Sequence, residues 1–116
     1  MRPFFNGDFD DKLLSLVILR IGGKNLMLFM IVETFKNRDA KPIYQRFLDR
    51  GRLMPEGLEY KASWIEASFN RCFQLMECDD AALLQEWVLE WRDLVDFEIV
   101  PVVESNTTKD LVTRHL

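Results

Sequence analysis

Residues 26–35 read LMLFMIVETF and are apolar at odd and even positions alike until Glu33. Since successive side chains of a strand point to opposite faces of the sheet, this segment predicts a strand that is buried on both faces. A chain of 116 residues, 48% of them hydrophobic, is expected to form one soluble domain with a single core. The fold must therefore cover both sides of this strand.

The next segment predicts a helix whose two ends are marked in the sequence. Residues 36–53 read KNRDAKPIYQRFLDRGRL, in which Asp39 suits the N-cap and Pro42 suits the first turn, where its missing N–H costs nothing. Gly51 suits the left-handed position after the last turn. We therefore expect the helix to end at Gly51.

Two strands are predicted after this helix. Residues 57–67, GLEYKASWIEA, alternate between apolar and polar positions, so we expect a half-exposed strand. Its apolar face is expected to hold Leu58, Tyr60, Ala62 and Trp64. A tight reversal at residues 68–70 leads into a third strand, Arg71–Cys78, so these two strands should form a hairpin.

A second helix is predicted for residues 81–95, capped by Asp79 or Asp80, because apolar residues recur there at intervals of three and four. These residues are Leu84, Trp87, Val88, Trp91 and Val95. The last strand is predicted in DFEIVPVVE, residues 96–104. Its Pro101 cannot donate a ladder hydrogen bond, which places this strand at an edge of the sheet.

The order strand, helix, strand, strand, helix, strand predicts an α+β, ferredoxin-like fold over residues 26–105. Its antiparallel sheet has the order 4-1-3-2, with the first and third strands central. Residues 1–25 are expected to be an appendage with a short helix or strand at residues 13–21, or else an overlong start before a domain that begins near Met27. Residues 106–116 are expected to form a polar tail, with or without a final helical turn.

Both helices of this fold lie on one side of the sheet, so the other side needs a cover. The central strands carry apolar side chains on both faces, and exposing one set would exceed the few hundred Å² that soluble monomers usually tolerate. We therefore expect a homodimer whose sheets pack face to face, a dimeric α/β barrel. The competing cover is residues 1–25 folded back across the sheet, and the two covers can coexist.

Four stretches carry a family resemblance: LFMIVETFK, YQRFLDRGRLMPEGLEYKASWIE, NRCFQLMECDD and LVDFEIVPVV. Over residues 27–105 the chain resembles bacterial proteins known only as a domain of unknown function, within the dimeric α/β-barrel superfamily. The resemblance implies a ferredoxin-like dimer and brings no established activity. Superfamily relatives include cofactor-free monooxygenases, lactone isomerases and haem-degrading enzymes, which use a pocket between sheet and helices.

The charge balance limits the partners. A formal net charge of −4 and a pI near 5.0 provide no basic surface to neutralise phosphates, so we expect no nucleic acid partner and favour a small neutral or cationic ligand. The apolar run at residues 13–21 is shorter than the ~20 residues that span a bilayer. No secretory signal precedes it, so a cytoplasmic protein without a membrane span is expected.

No metal or cofactor is predicted. Cys72 and Cys78 lie about 20 Å apart in one strand, too far for a disulfide, and their spacing matches no common zinc site, so we expect buried reduced thiols. The single histidine, His115, lies next to the C-terminal residue of the sequence, which leaves haem without its usual axial ligand.

Two polar residues interrupt the central strands. Glu33 shares a face with Ile31 and, at the mouth of a pocket, would have a raised pKa and act as a general base. The alternative is that Glu33 marks the end of the strand and pairs with Arg71 or a lysine. Gln74 is expected to be buried, with either a ligand or backbone across the dimer interface as its hydrogen-bond partner.

Further pocket candidates are aromatic or basic. Tyr44, Tyr60 and Trp64 offer flat walls for an organic ligand, although aromatic residues at such spacing also form ordinary core. A carboxylate would suit Arg46, Arg50, Arg52 and Arg71. Cations near a helix end also complement the helix dipole.

Two functions remain open at this point. The first is a small-molecule-binding homodimer, with cofactor-free monooxygenase or isomerase activity in which Glu33 is catalytic. The second is an assembly or regulatory module whose sheet face is only a dimer interface.

Overall fold

The computed structural model describes residues 25–116, so the helix or strand expected at residues 13–21 lies outside the described residues. The elements are β1 (Met27–Phe35), a 3-10 turn (Lys36–Arg38), α1 (Lys41–Arg50), β2 (Glu59–Ile65), β3 (Arg71–Cys78), α2 (Ala82–Trp91), β4 (Val95–Val102) and α3 (Ser105–Thr113). This order contains every strand and helix predicted for residues 26–105 and adds α3.

The four strands form one antiparallel sheet in the order β2-β3-β1-β4, which is the predicted order read from the other edge. The central places of β1 and β3 are confirmed. Pro101 lies on the edge strand β4, opposite Phe29 of β1. The architecture is α+β and compatible with a ferredoxin-like fold.

The core lies on one face of the sheet, which we call the covered face. It joins Phe29 and Ile31 of β1 and Met76 and Cys78 of β3 to Leu84, Trp87 and Trp91 of α2. Ile43 and Phe47 of α1 pack against the same cluster. Each fully buried aliphatic or aromatic side chain of this kind contributes about 1.5–3 kcal/mol, so this face holds α1 and α2 on the sheet.

The opposite face of the sheet, which we call the open face, is apolar but half-exposed. The side chains concerned are Leu28, Met30, Val32, Phe73, Leu75, Val100 and Val102. None of these seven side chains is fully buried. By contrast, the residues between them in β1, from Phe29 onward, and in β3 are all buried on the covered face. The prediction that the central strands carry apolar side chains on both faces is confirmed.

The edge strand β2 contains a β-bulge. Tyr60 pairs with Met76 of β3, but Ala62 pairs with Leu75, the adjacent residue, so Lys61 has no partner in the ladder. One extra residue reverses the side-chain alternation beyond the bulge, because that alternation has a period of two.

The bulge changes which residues of β2 face the core. Ser63 and Ile65 lie opposite covered-face residues of β3, whereas Ala62 and Trp64 lie on the open face. The prediction that Tyr60, Ala62 and Trp64 share one face is therefore wrong. The prediction places every second residue of β2 on the same face, and the residue types in this strand do not indicate a bulge.

The helix ends differ in part from the predictions. Asp39 lies one residue before the N-cap of α1 and accepts a hydrogen bond from the Lys41 N–H at 3.1 Å. The helix predicted to reach Val95 ends at Trp91 instead. Val95 starts β4, pairs with Phe35 and is 2% exposed, so burial in the sheet outweighs its helical spacing.

A full helix, α3, occupies the segment predicted as a polar tail. All of its residues are exposed, and Leu111 and Val112 are about half-exposed, at 49% and 52%. Its polar composition suggested a tail because no apolar face is buried here. Within residues 25–116, no helix has both the length and the hydropathy to cross a membrane.

Gly51 ends α1 with φ 72° and ψ −161°, a region that only glycine occupies readily. An added Cβ would meet no atom within 4 Å, so Gly51→Ala should cost only backbone strain. We expect a loss of about 1–3 kcal/mol in the free energy of unfolding, measured by urea denaturation. Glu56→Ala, in the exposed turn that follows, is the control. Equal stability of Gly51→Ala and wild type would contradict this backbone conformation.

Candidate functional site

A cavity of about 120 Å³ lies between the covered face and the helices. Side chains from β1, β2, β3, α1, α2 and the loop after α1 line it. A buried cavity of roughly 150 Å³ can hold benzene, so this space is close to the size of one aromatic ring. The polar groups in its wall decide what it can bind.

Glu33 is the buried carboxyl of this cavity. It lies on central strand β1 between Cys72 of β3 and Phe97 of β4, and it is 5% exposed. Desolvation raises its pKa to about 7, and the hydrogen bond from Gln74 and the charge of Arg52 offset this only in part. Both protonation states are therefore populated near neutral pH, as a general base requires.

Gln74 is held beside Glu33 by strand β3. Its Nε2 donates a hydrogen bond to Glu33 Oε2. Its Oε1 is buried and has no hydrogen-bond partner among the described residues. A buried acceptor without a partner costs about 1–3 kcal/mol, so this atom marks a polar position that the wall leaves unsatisfied.

Arg52 supplies the positive charge of the cavity. Its guanidinium stacks on the Tyr60 ring, 3.8 Å from the centroid, and lies 5.2 Å from the Phe47 centroid. The Nε1–H groups of Trp87 and Trp91 each donate to the Arg52 carbonyl oxygen at 2.9 Å. The two indoles thereby fix the loop that carries this side chain.

The remaining polar groups are neutral. Tyr44 lines the cavity and is 42% exposed, so it lies at the mouth. The Tyr60 hydroxyl is hydrogen-bonded to Ser63 Oγ at 2.8 Å, which keeps Tyr60 against the wall. Burial, together with the charge of Glu33, raises the pKa of the Cys72 thiol to about 12, so this thiol is neither a nucleophile nor a ready metal ligand.

The described part of the chain offers no cluster of three or more His, Cys, Asp or Glu side chains that could hold a metal. The cavity wall itself offers acid–base chemistry at Glu33, with Arg52 available to stabilise negative charge.

The structure brings together only some of the predicted site residues. Glu33, Tyr44 and Gln74 line the cavity, and Tyr60 contacts it through Arg52 and Ser63. Trp64 does not reach it, because the bulge turns this residue to the open face, where it is 54% exposed.

Arg71 also lies away from the cavity. It pairs with Glu66 at 2.8 Å and stacks on Phe73 of the open face, so the alternative pairing of Glu33 with Arg71 is not observed. Of the four arginines considered for a carboxylate, Arg52 alone lines the cavity, and Arg46 forms a bidentate pair with Asp93.

Sequence reasoning did not assign Ser63, Cys72, Trp87 and Trp91 to the site. The tryptophans were identified as helical core residues, and only the three-dimensional structure shows that they also hold the Arg52 loop.

These features define a small α+β domain with a cavity under one face of its sheet, whose largely apolar wall carries a few polar groups. A family model for a domain of unknown function, DUF3303, matches residues 27–116, and the chain belongs to this family. The match continues through α3, beyond residue 105, where the resemblance noted in the sequence ended. No curated protein and no solved structure matches the chain.

Glu33 should make stability depend on pH. Its pKa is 4.5 when solvated and about 7 in the folded protein, so between these values the folded state keeps a proton that the unfolded chain has lost. The contribution of Glu33 to stability therefore falls by about 3 kcal/mol from pH 4.5 to pH 8, and most of this loss occurs below pH 7.

Urea unfolding at several pH values measures this effect. Glu33→Gln should gain stability relative to wild type by about 3 kcal/mol over this range, because glutamine has no proton to release. Glu77→Gln, which removes a carboxyl paired with Lys61, is the matched control. A pH-independent difference between Glu33→Gln and wild type would show that Glu33 is well hydrated.

Proposed function

We propose that the protein binds a small organic molecule in the cavity between the sheet and the helices. The observation that carries this proposal is the pairing of Glu33 with Gln74, whose Oε1 is buried without a partner in a wall that is otherwise largely apolar. Ligand sites combine an apolar cavity with a few convergent polar groups of this kind. A non-catalytic assembly module would have no use for a buried carboxyl whose charge changes near neutral pH.

We further propose that Glu33 acts as a general base in a cofactor-free reaction. An isomerisation needs only that the carboxylate takes a proton from one atom of the substrate and returns it to another. Cofactor-free monooxygenation would require O₂ as a second substrate, so isomerisation is the simpler fit to this wall. The resemblance to the dimeric α/β-barrel superfamily supports both reaction classes by analogy of fold.

The open face is proposed to pair with the open face of a second copy, forming the dimeric α/β barrel. Seven half-exposed apolar side chains and the exposed Trp64 support this arrangement. An isologous contact between identical sheets would bury all of them at once. The alternative function, an assembly or regulatory module, would use the same face and leave the cavity without a role.

We propose a bacterial, cytoplasmic setting. Cys72 and Cys78 are both buried and free, and thiols stay reduced in the cytoplasm. The family resemblance supports the bacterial source.

Ligand binding can be tested by ligand-detected NMR with a library of single-ring compounds. Ile65 lines the cavity from the edge strand and is 37% exposed, so Ile65→Trp should fill the space with little disturbance of the core. Compounds that bind wild type should lose at least about tenfold in affinity in this variant. Leu89→Trp adds equal bulk at an exposed position of α2 and should bind as wild type does. Equal binding by Ile65→Trp and wild type would place the ligand elsewhere.

Sedimentation velocity tests the dimer. Met30 lies at the centre of the open face, and Met30→Lys would bury one unpaired ammonium from each subunit in the interface. We expect a wild-type dimer at micromolar concentration and a shift to monomer in Met30→Lys. Leu48→Lys, on the exposed side of α1, should remain dimeric. A monomeric wild-type protein would refute the proposed interface.

A further inference from the structure

The Arg52 guanidinium lacks an anionic partner within the described residues. No carboxylate among residues 25–116 comes within 4.0 Å of it, and its aromatic contacts are with the rings of Tyr60 and Phe47, whose centroids lie 3.8 and 5.2 Å from its central carbon. The in-plane N–H donors therefore stay available, and they match the geometry of a carboxylate or another ionised oxygen.

Glu33 is a poor counter-charge for Arg52. Three charged or titratable groups face it: Arg52 from the loop, Tyr44 from α1 and Cys72 from β3. The residues of α2 that line the cavity are Trp87 and Trp91, and β4 places Phe97 opposite Glu33. Arg52 is therefore the single cation of the described cavity wall, and it stabilises the Glu33 carboxylate only in part.

The amide of Gln74 can pair with Glu33 in either protonation state of the carboxyl. In the present arrangement Nε2 faces Glu33, and Oε1 has no partner. Rotation of the amide by half a turn lets a protonated Glu33 donate to Oε1 and frees Nε2 as a donor to the cavity. The protonated pair then presents an N–H, not an oxygen, to a bound molecule.

We infer that the ligand of this cavity is a small organic anion with a body of about one ring, whose ionised oxygen is bound by Arg52, and that Glu33 takes up a proton when it binds. This inference rests on the proposed ligand-binding function. For an anionic substrate the isomerisation would begin with Glu33 protonated: Glu33 gives its proton to one atom of the substrate and, as the carboxylate, takes a proton from another. An anion beside Arg52 removes part of the positive potential that favours the Glu33 carboxylate, so it drives protonation. The net charge of −4 had favoured a neutral or cationic ligand, but the local charge of the wall outweighs that of the whole chain.

The effect of ligand charge can be measured with three probes of nearly equal shape: the anion benzoate, neutral benzamide and the cation benzamidine. Isothermal titration at pH 6 should give at least about tenfold tighter binding for benzoate than for benzamide, and the weakest binding for benzamidine. Arg52→Gln should remove the preference for benzoate and leave benzamide within about twofold, because the backbone carbonyl that holds the tryptophans is retained. Arg50→Gln, at the exposed end of α1, is the matched control.

The pH dependence gives an independent measure. With a pKa of about 7 in the free protein, proton uptake by Glu33 predicts that benzoate affinity falls about tenfold between pH 6 and pH 8. Glu33→Gln should bind benzoate with no such fall. Should Arg52→Gln fail to fold, Arg52→Lys keeps the charge without the planar fork and should bind benzoate more weakly with the same pH slope.

The results distinguish a failure of the anion preference from a failure of the proposed ligand-binding function. Tightest binding of benzamidine, with affinity rising with pH, would overturn the anion preference while the cavity remains a ligand site. Equal affinities of benzoate and benzamide would do the same. The proposed ligand-binding function itself would be overturned if none of the three probes binds at millimolar concentration. It would also be overturned if Ile65→Trp does not weaken the binding of any of them.

Discussion

The central place of β1 controls both the fold and the chemistry of the cavity. This strand has hydrogen-bonded neighbours on each side, and its side chains contribute to both faces of the sheet. A carboxyl at position 33 therefore cannot turn outward to water as a carboxyl on an edge strand would. The same constraint that buries Ile31 also dehydrates Glu33, and a raised pKa follows from position in the sheet.

A second constraint acts on the loop between α1 and β2. Two indole N–H groups from one helix converge on a single backbone oxygen, that of Arg52, and Gly51 provides the sharp change of direction just before it. Backbone and side chain of Arg52 thus have separate tasks: the carbonyl anchors the loop to α2, and the guanidinium serves the cavity. The positive charge is thereby held by buried tryptophans at a fixed place beside a cavity that also contains a carboxyl.

Much of the fold followed from patterns in the sequence. Apolar side chains on both faces of β1 and β3 predicted the central strands, and Pro101 predicted an edge. Glu33 and Gln74 stood out as polar residues in apolar strands. Trp64 was assigned to the wrong face because a bulge adds a residue without any change in composition. The role of Arg52 depends on a contact between distant segments, which no local pattern contains.

The bulge at Lys61 also bears on how such a cavity can diversify. Because β2 is an edge strand with a single neighbour, its register can shift by one residue without disturbing β1 or β4. If Lys61 entered the ladder opposite Leu75, Trp64 would move into the wall and Ser63 to the open face, with no amino acid substituted. Relatives without the bulge would present a different surface to their ligands, so strand register itself becomes a determinant of selectivity.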